Sequence, residues 1–237
     1  LRLDKLLANS GYGSRTDVKK MLKTGAVEVN GQVKKDGKLQ IDPVNDQIYV
    51  LGEYVEYREN IYIMMNKPKG VISATEDLRE KCVVDLLDDS LRRFEPFPVG
   101  RLDKDTVGLL ILTNDGKLAH ELLAPKKKVA KRYWAKIEGL VNEEDVRAFE
   151  KGVVLDDGYV TKPAQLSIIS GDSVSEIEVT IVEGKFHQVK RMFQAVGKRV
   201  LELKRIQMGA LSLDEQLKLG EYRELTNEEL TLLQSQK

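Results

Sequence analysis

Asp103 is the residue of this chain best placed to do chemistry. It lies in the run Gly100-Arg101-Leu102-Asp103-Lys104-Asp105-Thr106, which feeds into an apolar segment, 107–112, closed by the turn Asn114-Asp115-Gly116. A loop ahead of a buried strand holds an acid at the rim of a sheet, against packing of low dielectric. That setting suits a catalytic carboxylate and leaves the reaction open. Two other acids compete for the role. Asp115 precedes Gly116 and reads as the cap of a following helix, while Asp105 stands two places after Asp103.

Other chemistries are thinly represented. Neither G-x-x-x-x-G-K-[ST] nor G-x-G-x-x-G occurs, so no phosphate-cradling loop is expected. His120 and His187 lack metal-ligand spacing, and the one cysteine, Cys82, gives neither a zinc cluster nor an internal disulfide. No Gly-x-Ser-x-Gly elbow is present. What remains is carboxylate chemistry that calls for no cofactor and no metal.

The 237 residues suit one large domain and a small one. With 41% hydrophobic and 32% charged residues the chain reads as globular rather than disordered. Its apolar runs are too short to span a bilayer, so no membrane partner is expected. No charged-then-apolar signal segment opens it, and a lone cysteine suits a reducing cytoplasm. Lys and Arg number 38 and Asp and Glu 38, a net charge of zero that by itself speaks against a polyanionic partner. The distribution speaks the other way. Residues 1–42 carry nine Lys or Arg against five acids, and further basic clusters fall at 126–132 and 185–205. Residues 43–60 are acidic, with Asp46, Glu53, Glu56 and Glu59 against Arg58. Local basic surfaces on a neutral protein fit a polyanion held along selected faces.

The elements that must position these groups fall into two parts. In residues 1–42, Leu3, Leu6 and Leu7 have helical spacing. Ser14 with Asp17 forms a capping box ahead of a second helix that buries Val18, Met21 and Leu22. Arg15, Lys19 and Lys23 follow at i, i+4 and i+8 as a cationic stripe. Residues 26–29 alternate as a strand, and Asn30-Gly31 signals a hairpin. From Ile61 onward short strands predominate: 61–65, 109–112, 131–137, 164–169 and 176–182. Helices are expected at 83–87, 117–123, 143–150, 187–196 and from Thr226, where Thr226 and Glu229 make a capping box. The order lacks βαβ regularity, so the fold class is α+β, with a mostly antiparallel sheet in the larger part. The domains are set at 1–60 and 61–237.

Arg2-Leu3-Asp4-Lys5-Leu6-Leu7, Gly13-Ser14-Arg15 and Val27-Glu28-Val29-Asn30-Gly31 resemble an S4 RNA-binding domain. The larger part resembles the RsuA-type pseudouridine synthases. The matching residues are the run 100–116, Asn66-Lys67-Pro68-x-Gly70, Lys131-Arg132-Tyr133 and Glu183-Gly184-Lys185-Phe186-His187-Gln188-Val189-Lys190-Arg191-Met192-Phe193. The resemblance implies conversion of a uridine in ribosomal RNA to pseudouridine, without a cofactor. Asp103 would be the catalytic acid, with Lys190 its counter-charge and Tyr133 the stacking platform for the target base. Arg101 would fill the space left by the flipped base. Asp105 is displaced by two positions from the family's acid. RNA contacts are implied for Arg2, Lys5, Arg15, Lys19, Lys20 and Lys23 in the first part. In the second they are implied for Lys67, Arg132, His187, Gln188 and Arg191.

The sequence His-Gln-Val-Lys-Arg at 187–191 matches the RsuA branch, where the large-subunit branch more often has Arg-Gln-Ile-Arg-Arg. A uridine of small-subunit (16S) rRNA, free or in an assembling small-subunit particle, is therefore the expected substrate, and a monomer the simplest enzyme. Three alternatives stand beside it. These are the same reaction on 23S large-subunit rRNA, a non-catalytic ribosome-assembly factor, and a carbohydrate hydrolase with paired acids, which the S4-like segment disfavours.

Overall fold

The computed structural model describes residues 1–235 and divides them into two compact units. One comprises Leu1–Ile61 with Asp88–Pro96, the other Tyr62–Leu87 with Phe97 onward. A linear boundary at residue 60 therefore misses one excursion. The segment 88–96, which carries the short helix α3 (Asp89–Arg92), packs with the first unit.

The first unit is built on α1 (Leu3–Asn9), α2 (Arg15–Lys23) and strands β1 (Val27–Val29), β2 (Gln32–Val33), β3 (Ile48–Val50) and β4 (Glu53–Tyr54). The Ser14 hydroxyl accepts from the Asp17 N–H at 3.3 Å and the Asp17 carboxylate accepts from the Ser14 N–H at 3.1 Å. This reciprocal box satisfies donors that a helix start leaves free. Asn30 and Gly31, at φ 52° and 74°, turn β1 back onto β2. Both values lie in the left-handed region that a two-residue hairpin requires. The sheet order is β2-β1-β3-β4. Leu3, Leu6, Leu7, Val18, Leu22 and Val27, all fully buried, join it to the helices in one core.

The second unit has a nine-stranded sheet built from β5 (Tyr62–Lys67), β6 (Phe97–Pro98), β7 (Val107–Thr113), β8 (Lys131–Glu138), β9 (Gln165–Ser170), β10 (Val174–Ile181), β11 (Arg199–Met208), β12 (Leu211–Ser212) and β13 (Tyr222–Glu224). Its order is β13-β5-β7-β11-β8-β10-β9, with β6 on β7 and β12 on β11. Every pairing is antiparallel except β7 with β11. Helices α4 (Gly116–Leu123), α5 (Glu143–Lys151), α6 (Gln188–Ala195) and α7 (Asn227–Gln234) pack around it. Leu109 to Leu112 are all fully buried, so β7 is covered on both faces. Leu118 and Leu122 of α4 join Leu109 and Ile111 in one cluster, while Phe149 of α5 and Phe193 of α6 meet with ring centroids 4.9 Å apart. Asp115 caps α4, accepting from the N–H groups of Lys117 and Leu118, and Thr226 caps α7.

β11 was not expected from the sequence. Ten residues long and central in the sheet, it carries Arg199, Glu202, Lys204 and Arg205. The pairing with β8 shifts register twice, between Val200 and Glu202 and between Arg205 and Gln207. Each shift flips which parity faces inward, so the buried residues Leu203, Arg205 and Met208 follow no single period.

Candidate active site

Asp103 projects from a loop whose backbone is tied at several points. Leu102 is buried, and the Ser73 hydroxyl donates to its carbonyl and accepts from its N–H, each at 3.0 Å. The Gly70 N–H donates to the Lys104 carbonyl at 2.9 Å and the Thr106 N–H to the Asp103 carbonyl at 3.0 Å. Beneath the loop lies Lys67, the last residue of β5, with 0% exposure. Its ammonium donates to the carbonyl oxygens of Thr106 at 2.9 Å, Asp103 at 3.0 Å and Pro68 at 3.1 Å. A charged donor shared among carbonyls is a strong clasp, and it fixes where the Asp103 carboxylate can point. Burial, assisted by the Lys190 charge, pushes the Lys67 pKa down to about 8, although Asp105 and Asp103 oppose it.

Lys190, in the first turn of α6, reaches both nearby acids. Its ammonium donates to Asp103 Oδ2 at 3.0 Å and to Asp105 Oδ1 at 2.6 Å. Burial pulls the Lys190 pKa down, but hydrogen bonds to the two carboxylates outweigh it and the net shift is upward. For Asp105 burial pulls upward, and the hydrogen bond and charge of Lys190 bring the net value below the ordinary range. The two acids differ in setting, since the Asp103 side chain is 27% exposed and that of Asp105 67%. His187 Nε2 lies 3.7 Å from Asp103 Oδ1.

A cavity of about 80 Å³ opens beside Asp103. Tyr133 of β8, Ile181 of β10, Val189 of α6 and Leu203 of β11 line it, and exposed Arg101 borders it. An aromatic ring, aliphatic walls and one carboxylate with a fixed cation suit a planar base with its sugar held against the acid. The described residues contain no group of three or more His, Cys, Asp or Glu able to hold a metal ion.

The structure thus brings together Asp103, Lys190, Tyr133, Arg101 and His187. Several other residues expected to meet RNA have their polar groups engaged within the protein. Lys67 is withdrawn from the surface, and its ammonium serves the loop carbonyls instead. Gln188 is also buried; its Nε2 donates to Glu183 at 2.7 Å and its Oε1 accepts from the Lys185 N–H at 2.9 Å. Arg191 spends its charge on Asp156 and on Asp157, the latter at 2.7 Å, and so ties α6 to the 155–158 turn. Arg132 alternates with Tyr133 along β8, points to the other sheet face and pairs with Glu178 at 3.4 Å. In the first unit Arg2 neutralises the buried Asp4 at 2.5 Å, while Lys5, Arg15, Lys19, Lys20 and Lys23 are exposed.

Sequence reasoning missed Ser73, the clasp made by Lys67, and exposed Phe186, whose ring stacks on His187 at 3.8 Å. For Lys67 a signal existed. Asn66-Lys67 continues the apolar run of β5, and a lysine ending a buried strand needs acceptors.

A family model described as RNA pseudouridylate synthase matches residues 61–195, and one described as S4 domain matches residues 1–48. The chain is 57% identical to the uncharacterized RNA pseudouridine synthase YtzG of Bacillus subtilis, over 98% of both chains. It is 41% identical to ribosomal large subunit pseudouridine synthase B of the same organism, over 99% of this chain and 96% of that one. Its identity to ribosomal small subunit pseudouridine synthase A of Yersinia pestis is 38%, over 97% of each.

Proposed function

The chain belongs to the RNA pseudouridylate synthase family and carries an S4 domain, and from that premise we propose that it isomerises a uridine of small-subunit ribosomal RNA at Asp103. It is a pseudouridine synthase, an isomerase acting on RNA. The observation that carries the assignment of the acid is the ion pair of Asp103 with Lys190 at 3.0 Å, beside the cavity that Tyr133 walls.

The reaction breaks the bond from C1′ to N1 and joins C1′ to C5 of the same uracil. N1 ends protonated, C5 has lost its proton, and nothing is oxidised or reduced. The base must leave its stack to reach a recessed acid, and Tyr133 offers it a face worth about 1–3 kcal/mol. Arg101 enters the gap left in the RNA. A carboxylate against the sugar stabilises or traps positive character at C1′. Lys190 holds that carboxylate in place, and the clasp of Lys67 keeps its backbone from yielding. Asp105 shares Lys190 but lies further into solvent and supports the charge balance.

The small-subunit target is supported by His-Gln-Val-Lys-Arg at 187–191 and by the small-subunit relative. A large-subunit target is the second reading, favoured by the 41% identity to the large-subunit enzyme. Mapping pseudouridines in both rRNAs from cells lacking this protein decides between them. One site lost from 16S rRNA is the expected result. A site lost from 23S rRNA installs the second reading, and unchanged maps of both contradict an rRNA substrate.

A further inference from the structure

Behind Tyr133 stand two cations that have no counter-charge, Arg205 buried and Lys131 half-buried. Arg205 is 2% exposed; its Nε donates to the Leu109 carbonyl at 2.8 Å, and its Nη2 is buried with no acceptor. Lys131, at the start of β8, reaches the Val129 carbonyl at 3.3 Å. Neither forms an ion pair among the described residues. They stand on neighbouring strands, with Arg205 opposite Tyr133 and Met208 opposite Lys131. Burial first, and then the charge of Arg205, pushes the Lys131 pKa down to about 8. Two desolvated like charges side by side are costly. Arg205 Nη2 and the Lys131 ammonium are also more donor capacity than the surrounding backbone uses.

These residues line a cavity of about 310 Å³ whose other walls include Arg101, Lys162 and Lys185. One carboxylate faces it, Glu183, and its oxygens are already taken. Oε2 accepts from the Tyr159 hydroxyl at 2.7 Å, and Oε1 accepts from the Lys162 N–H at 2.9 Å and from Gln188 at 2.7 Å. The recess is therefore electropositive at its floor and its rim. It also shares Arg101, Tyr133, Gly184 and Lys185 with the cavity beside Asp103. An anion seated here lies one side chain away from the reacting base.

We propose that this recess takes a phosphodiester of the RNA backbone next to the flipped uridine, with Lys131 binding its oxygens and the buried charge of Arg205 attracting it from behind. The proposal rests on the enzyme acting at Asp103 and adds a substrate contact to that site. An ammonium at the recess suits the oxygens of a phosphate, and a buried guanidinium behind it adds attraction through a medium of low dielectric. Binding energy from a phosphate remote from the broken bond holds the ribose between Tyr133 and Asp103.

The test uses the full chain with Lys131→Met and Lys131→Arg. Removing an unpaired, half-buried charge leaves the fold intact, and urea unfolding of both variants checks this. With a single-stranded RNA containing one uridine, the slope of log affinity against log salt should fall by about 0.7 in Lys131→Met, while Lys131→Arg keeps the wild-type slope. Inorganic phosphate, substituted for chloride at constant ionic strength, should raise the thermal midpoint of wild type more than that of Lys131→Met, whose rise reports only exclusion of the ion from the protein surface. Equal slopes, or an equal response to phosphate, in wild type and Lys131→Met overturn the proposal. Neither result touches the role of Asp103, which the isomerisation assay of an Asp103 variant reads separately.

Discussion

At the scale of single residues, the site divides charges by what surrounds them. Asp103 and Lys190 sit where solvent is partly excluded, and Asp105 shares the same lysine from a more exposed position. Lys67 has the least freedom, because its ammonium holds the loop from below. Lys67→Met should lower kcat about 10²-fold through misplacement of the Asp103 backbone, with RNA affinity unchanged. Single-turnover kinetics and filter binding check this, and a variant with normal kcat contradicts the clasp. The pH dependence has a definite sign. Unfolded lysine holds its proton to about pH 10.5, whereas buried Lys67 gives it up near 8. Between those values the unfolded state binds more protons, so this group's contribution to stability grows as pH rises and is flat below 8. The unfolding free energy of wild type should therefore gain on that of Lys67→Met above pH 8. The motifs around Asp103, Lys190 and Tyr133 picked out residues that the structure brings together, but the clasp was not visible. The end of a buried strand signals that Lys67 needs acceptors, but two of them are carbonyls 36 and 39 positions away, which no local pattern encodes.

At the scale of elements, legibility followed periodicity. β7 showed itself as an unbroken apolar run, and both α2 and α7 through their capping boxes. β11 stayed hidden because its two register shifts break the period of two and because its buried set includes an arginine. Its parallel partner β7 carries the matching signature in Gly108. That residue has φ 103°, and a Cβ there would stand 2.2 Å from the Arg205 carbonyl oxygen. The glycine permits close approach of the two strands that carry Arg205 and lead out of the Asp103 loop. Gly108→Ala should destabilise the protein by about 1–3 kcal/mol from backbone strain alone, and more if the strands part. A urea midpoint within error of wild type would contradict the account of this pairing.

At the scale of the whole molecule, a net charge of zero conceals an uneven surface. The exposed cations Lys5, Arg15, Lys19, Lys20 and Lys23 lie in the S4 unit, while several basic residues of the second unit are paired internally. Composition alone argued against a nucleic-acid partner, and only position along the chain corrected it. The two-unit organisation was visible in the change from helices to short strands near residue 61, but the return of 88–96 to the first unit was not. A nine-residue excursion with one short helix leaves no compositional boundary. In the proposed function all of these parts serve one carboxylate, Asp103. The most direct measurement compares wild type with Asp103→Asn on rRNA from cells lacking the protein, reading pseudouridine formation and RNA affinity together. Loss of all pseudouridine with affinity within about twofold of wild type is expected, because the change removes a charge and keeps the shape. Pseudouridine formed by Asp103→Asn at the wild-type rate would contradict the assignment of the catalytic acid.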